Sequence, residues 1–108
     1  VQLYFYGERF VGPGNAEAAA QVKAVAEAKL NGLMDQIDAH LAQNGGPWMM
    51  GSAYTALDPY VFMLGRWTRG MQRPARTLAH VGPFLQRVLH RPAVQRVIAR
   101  EALSQPLV

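Results

Sequence analysis

One stretch of chain, residues 16–43, restricts the fold more than any other feature of this sequence. Its apolar residues recur at steps of three and four, at Ala19, Val22, Ala26, Leu30, Leu33, Ile37 and Leu41. That spacing predicts the inner face of a long α-helix. Asn15 precedes the stretch as a candidate N-cap. Four residues that favour non-helical backbone follow it: Asn44, Gly45, Gly46 and Pro47. We therefore predict a helix from Ala16 to Gln43.

A second helix is predicted to start at Thr55. Thr55 and Asp58 have the spacing of a capping box, in which each side chain accepts a backbone N–H at the helix start. The residues that follow are apolar on nearly every side, which predicts a buried helix. Pro59 lacks a backbone N–H and disfavours helical angles at the residue before it, so we expect a slightly irregular first turn.

The remaining sequence also predicts helices. A third covers about Leu78 to His90 and ends at Arg91, and Pro92 suits the first turn of a fourth. Residues 1–10 predict the end of another helix, followed by a linker over residues 11–14. No segment alternates apolar and polar residues as a strand would. The expected fold class is all-α, a bundle of four to five helices in one domain over residues 1–108.

Composition excludes several kinds of site. The chain has no cysteine, which rules out disulfides, thiolate zinc sites and thiol nucleophiles within it, and which fits a reducing, cytoplasmic location. The longest uncharged stretch, residues 39–57, is interrupted by glycines and a proline, so we expect no membrane span.

Positive charge is concentrated in the second half, where residues 61–108 carry eight arginines against the single acid Glu101. This asymmetry raises the question of nucleic-acid binding. The arginines are spread over at least two predicted helices, however, and Trp67 is the only aromatic residue that interleaves them as a stacking partner would. We interpret them as arginines whose guanidinium groups lie in solvent and whose aliphatic parts cover apolar surface. We therefore expect no nucleic-acid partner.

No catalytic constellation is visible, and we assign no catalytic residue. His40, His80 and His90 lack the spacing of zinc ligands, so no metal site is expected. Asp35 and Asp38 fall on the polar side of the first long helix and are predicted to be solvated, and His40 is predicted to lie on the surface.

From Trp48 onward the sequence carries a longer pattern. Gly51 is followed after three residues by Thr55, and then come Asp58, Tyr60, Phe62, Arg66 and Trp67. The pattern continues with Phe84, Gln86, Arg87, Val88, Arg91, Pro92, Ala93 and Val94. Together these residues resemble the C-terminal helical half of glutathione transferases, particularly the bacterial type. The resemblance covers nearly the whole chain and is looser before Ala16. Pro59 departs from the small residue that often follows the aspartate.

The resemblance implies a parent enzyme that conjugates glutathione, its cosubstrate, to a small apolar electrophile in detoxification. Such enzymes carry an N-terminal thioredoxin-like domain, which binds glutathione and supplies the catalytic Tyr, Ser or Cys, and residues 1–108 contain nothing corresponding to it. The helical domain supplies most of the electrophile pocket and much of the homodimer surface. The resemblance thus implies that this chain binds no cofactor alone and is inactive alone. The alternative is a non-enzymatic member that uses this domain for protein–protein interaction.

Carried over by position, Trp67 matches a tryptophan that borders the electrophile pocket. Tyr4 and Tyr6 lie near the end of the helix that forms the opposite wall. Thr55 and Asp58 match the capping box of the family, whose role is in folding. Trp67 could instead belong to the core, and the two tyrosines could be core residues or dimer contacts.

Overall fold

The computed structural model describes residues 1–108 and contains no strand. Its five α-helices are α1 (Gln2–Phe5), α2 (Ala16–Gln43), α3 (Leu57–Trp67), α4 (Val81–Leu89) and α5 (Pro92–Glu101). Short 3-10 turns cover Gly7–Phe10, Thr68–Gly70 and Ala75–Thr77. The all-α prediction is confirmed.

The chain divides into two compact units, residues 1–33 and 34–108, with the division inside α2. In the first unit, the predicted helix end over residues 1–10 is two short pieces that separate at Tyr6, whose φ of −131° is not helical. The linker after them turns at Gly12 and Gly14, which have φ of +83° and +78°. Glycine adopts these angles without a steric penalty.

Helix α2 begins and ends at the predicted residues. Asn15 Oδ1 accepts the backbone N–H of Ala18 at 3.2 Å, which is the expected N-cap contact. Beyond Gln43, the Asn44 side chain accepts the Gly46 N–H at 3.0 Å and donates to the Trp48 carbonyl at 2.7 Å. The residues that end the helix are therefore held by one asparagine side chain.

The core of the second unit is centred on α4. Four of its side chains, Val81, Phe84, Leu85 and Val88, are fully buried. Helix α3 approaches it closely at Gly65, where an added Cβ would lie 2.8 Å from Leu85 Cδ2. The predicted third helix begins three residues later than expected, at Val81.

The prediction that α3 is buried on nearly every side is wrong. Its outer side carries four large apolar residues with exposed fractions of 36 to 56%: Leu57, Tyr60, Met63 and Trp67. The opposite side, which includes Val61, Phe62 and Gly65, is buried. The apolar pattern of α3 runs around the helix, whereas its packing within the chain covers one side only.

The prediction that Asp38 is solvated is also wrong. Asp38 Oδ1 accepts the backbone N–H groups of His80 and Val81 at 2.8 Å each, and its side chain is 20% exposed. Burial opposes the ionisation of Asp38, but the hydrogen bonds from Val81 and His80 outweigh it and lower the pKa of the carboxyl group. Asp38 therefore caps the start of α4.

The neighbouring polar residues of α2 agree with prediction. Asp35 is exposed and pairs with Arg73 at 2.8 Å. His40 is exposed, and its Nε2 lies 2.6 Å from the Met49 carbonyl oxygen.

No helix combines the length and the apolar character that crossing a bilayer requires.

Candidate functional site

Helices α3 and α5 border a cavity of about 520 Å³ in the second unit. Most of its lining is apolar and comes from the two helices and the residues that flank them: Tyr54, Pro59, Phe62, Met63, Arg66, Trp67, Ala93, Val94, Val97, Ile98 and Leu103. No residue of α5 is buried; its apolar residues Val94, Val97 and Ile98 line the cavity, and Val94 also packs against the core. A cavity of this size and lining is typical of sites that bind small apolar molecules.

Trp67 borders this cavity from the last position of α3. Its side chain is 38% exposed, so Trp67 is not a fully buried core residue. A partly wet indole at a cavity edge offers an apolar ring to a ligand while its N–H can still reach water.

Arg66 is the charged member of the lining. Its guanidinium donates to the carbonyl oxygens of Leu107 at 2.6 Å, Pro106 at 3.3 Å and Ser104 at 3.4 Å. Burial and the nearby charge of Arg69 lower the pKa of Arg66 from its usual value. Because a buried cation needs acceptors around it, these carbonyls hold the segment after α5 against α3.

Tyr54 extends the cavity lining toward a cluster of rings. It packs edge to face against Trp48, with ring centroids 5.0 Å apart. The Arg91 guanidinium lies 3.5 Å from the centroid of the Tyr54 ring and 5.5 Å from that of Trp48. Cation–π attraction therefore joins the loop before α3 to the junction of α4 and α5.

Helix α3 begins at Leu57, two residues later than predicted, and Ala56 rather than Thr55 is at its N-cap position. Both members of the predicted capping box nevertheless accept backbone N–H groups near this start. Asp58 Oδ2 accepts the Thr55 N–H at 2.8 Å, and Thr55 Oγ1 accepts the N–H of Leu57, rather than that of Asp58, at 3.3 Å. The second oxygen of Asp58 accepts the Met49 N–H at 2.8 Å, and the side chain is completely buried. This carboxylate ties the loop that carries Tyr54 to the helix that carries Trp67.

Tyr4 and Tyr6 lie in the first unit, and neither is buried. Lys23 Nζ is 4.8 Å from the centroid of the Tyr4 ring, and Arg9 Cζ is 4.4 Å from that of Tyr6. This unit has a cavity of about 420 Å³ whose lining does not include the tyrosines: Leu3, Gln21, Val22, Val25, Ala26 and Lys29. Of the three residues assigned to the pocket, the structure places only Trp67 at the cavity of the second unit.

Sequence reasoning assigned no role in the pocket to Arg66, Tyr54 or the apolar residues of α5. The recurrence of Val94, Val97 and Ile98 at steps of three and one was a usable signal, because it marks one face of α5. An arginine within the apolar run of α3 was a second signal, since a buried cation requires partners.

The lining of this cavity is suited to holding an apolar ligand. The cavity lining contains no cysteine, histidine or carboxylate. No group of three or more His, Cys, Asp or Glu side chains in the chain could hold a metal ion. The cavity therefore provides apolar walls with a few polar groups.

Comparison with known proteins agrees with this architecture. The family model described as "Glutathione S-transferase, C-terminal domain" matches residues 6–101. The chain is 33% identical over 57 residues to the glutathione S-transferase GstA of Escherichia coli O157:H7, a match covering 53% of this chain and 28% of that protein. It is also 33% identical over 79 residues to the glutathione S-transferase GST-4.5 of Xanthomonas campestris pv. campestris, covering 73% of this chain and 38% of that protein.

These matches span well under half the length of either relative. No solved structure gives a significant match. The family model nevertheless covers most of the chain, from the 3-10 turn at Gly7–Phe10 through α5. The chain therefore belongs to the family of glutathione S-transferase C-terminal domains.

Proposed function

We propose that this chain is the electrophile-pocket domain of a glutathione transferase. The cavity bordered by α3 and α5, with Trp67 at its edge, is the observation that carries the proposal. In the whole protein, glutathione is the cosubstrate and its thiolate attacks a small apolar electrophile. The role of this domain is to hold that electrophile by its apolar surface and orient it for attack.

Activation of the thiol lies outside these residues. Lowering the thiol pKa needs a donor or a positive charge beside the sulfur, and the one charged residue of the lining, Arg66, directs its terminal amino groups to backbone carbonyls. The resemblance assigns the catalytic residue to a separate thioredoxin-like domain. We expect residues 1–108 alone to show no conjugating activity. A homodimer in the cytoplasm and a role in detoxification are further parts of the proposal and rest on the family alone.

The test is steady-state kinetics of the whole protein with glutathione and chlorodinitrobenzene, an apolar aryl electrophile. Trp67→Ala removes a cavity wall, and we expect it to raise the KM for the electrophile about fivefold to tenfold, since loss of a large apolar contact weakens binding by 1 kcal/mol or more. The KM for glutathione should change less than about twofold.

Tyr60→Ala is the matched control. Tyr60 lies on the same helix and is 56% exposed, but it does not line the cavity. If the two variants raised the KM for the electrophile equally, the assignment of Trp67 to the pocket would be contradicted. A whole protein that turns over no electrophile would favour the non-enzymatic interaction domain.

A further inference from the structure

A second crevice of the same unit, at the junction of α4 and α5, combines positive charge with an aromatic wall. Its volume is about 480 Å³, and its lining is Trp48, Gln86, Arg87, His90, Arg91 and Pro92. Two of these residues are arginines, one is a histidine, and none is acidic. Like charges held together at one surface attract an anion, because an anion relieves their mutual repulsion.

Arg91 is oriented by stacking and not by hydrogen bonds. Its guanidinium lies over the rings of Tyr54 and Trp48. The guanidinium N–H groups make no hydrogen bond and no ion pair within the chain. Stacking leaves the N–H groups free at the edge of the plane and restricts the side chain in advance, so that less conformational entropy is lost when an oxyanion binds.

Two further side chains of the crevice are oriented by hydrogen bonds to backbone carbonyls, and one of them, Arg87, keeps donors available. Arg87 donates from Nε to the Pro47 carbonyl at 3.1 Å, which orients its stem and leaves its terminal amino groups available. His90 Nδ1 lies 2.6 Å from the Gln86 carbonyl oxygen. Since a carbonyl only accepts, Nδ1 carries a proton, and Nε2 of the neutral ring is then an acceptor. The donors for an oxyanion in this crevice are therefore those of the two arginines.

We propose that this crevice is a binding site for an organic phosphate monoester. Guanidinium groups pair with phosphate oxygens through paired hydrogen bonds, and two arginines supply more donors than a single carboxylate can accept. Trp48 and Pro92 form the apolar wall against which the carbon part of the ligand packs. The crevice is separate from the proposed electrophile cavity, since the two share no lining residue.

The test is a titration of the whole protein with phenyl phosphate, followed by NMR at the indole N–H of Trp48. Arg91→Gln and Arg87→Gln should each weaken binding at least about fivefold, because each removes a charge-assisted contact. Arg96→Gln is the matched control: it removes the same charge from α5 at an exposed position outside the crevice. It should weaken binding less than about twofold.

Three ligand controls sharpen the result. Phenol lacks the oxyanion, benzoate replaces the phosphate with a carboxylate, and inorganic phosphate lacks the ring. We expect phenyl phosphate to bind more tightly than all three. Equal binding of phenol would mean an apolar crevice only, equal binding of benzoate would remove the phosphate preference, and equal binding of inorganic phosphate would remove the role of the aromatic wall.

The arginine variants separate a built site from diffuse charge. Equal weakening by Arg96→Gln and Arg87→Gln, or no saturable binding by the unchanged protein, would overturn the proposal. Arg91→Gln also removes stacking on Tyr54 and Trp48. Thermal unfolding of each variant shows whether it stays folded. If Arg91→Gln does not fold, the effect of Arg87→Gln on phenyl phosphate binding tests the proposal.

Discussion

Two helices of the second unit start at aspartate caps that come from very different places in the sequence. At the start of α3, Asp58 belongs to the first turn of the helix and accepts N–H groups from Thr55 and Met49. At the start of α4, Asp38 comes from α2 and accepts N–H groups that lie 42 and 43 residues later. Asp58 is completely buried, whereas the Asp38 side chain keeps 20% of its surface exposed.

The difference separates two uses of one chemical group. Asp58 accepts the backbone N–H groups of residues three and nine positions before it in the chain, so it stabilises the loop that leads into α3. Asp38 satisfies the donors of another helix, so it stabilises the packing of α2 against the start of α4 within the second unit. The burial of the two carboxylates predicts different energetic costs for their loss.

The largest effect is expected for Asp58→Asn. The amide keeps one acceptor oxygen and turns an NH₂ group toward a backbone donor, so a buried N–H loses its partner. We expect the free energy of unfolding to fall by about 3 kcal/mol. Urea denaturation measures the change. The control is Asp35→Asn, which makes the same substitution at an exposed aspartate that pairs with Arg73. A loss under about 1 kcal/mol would show that water reaches this site.

A smaller effect is expected for Asp38→Asn, about 1–2 kcal/mol at neutral pH, because the site is partly exposed. The pKa of Asp38 lies below its ordinary value of 3.8 in the folded protein. Its contribution is therefore complete above that ordinary value and is lost as the pH falls through the lower folded value.

The difference in unfolding free energy between the unchanged protein and Asp38→Asn should accordingly shrink toward zero in acid. Urea denaturation at a series of pH values from about 7 down to about 2 measures it. A deficit that stays constant over that range would mean that the charge of Asp38 contributes nothing. Asp35→Asn should cost under about 0.5 kcal/mol at neutral pH.

Among the residues at the two helix starts, the smallest effect is expected for Thr55→Ala. Thr55 Oγ1 accepts a single N–H at 3.3 Å at an exposed position. The expected loss is about 0.5–1 kcal/mol, at the low end for a helix cap, and urea denaturation measures it. A loss as large as that of Asp58→Asn would mean that the two members of the capping box act as one unit, and a double variant would then show strong non-additivity.

The same contrast explains which parts of the fold could be predicted. The bounds of α2 and the start of α5 were predictable, because Asn15, Asn44 and Pro92 act within about one turn of the residues they affect. The exposed side of α3 was not predictable, because the amino-acid composition of a helix does not determine how much of its surface packs against other elements. The late start of α4 depended on Asp38, a residue of another helix.

The candidate pocket shows the same limit. Trp67 could be singled out by its place in a family pattern, and α5 carried an apolar face. Their meeting at one cavity with Arg66 depended on the segment after α5 folding back onto α3. The cluster of Arg91 with Tyr54 and Trp48 joins residues about 40 positions apart, and no local spacing signals it.

The amino-acid sequence alone determined that this protein is helical, where several helices begin and end, and which family its motifs resemble. These properties depend on periodicity, capping and proline geometry, which act over about four residues. Only the tertiary structure decided which side of α3 is covered, which carboxylate caps α4, and which side chains share a cavity. Those outcomes depend on contacts between distant residues, and such contacts leave no fixed spacing in the chain.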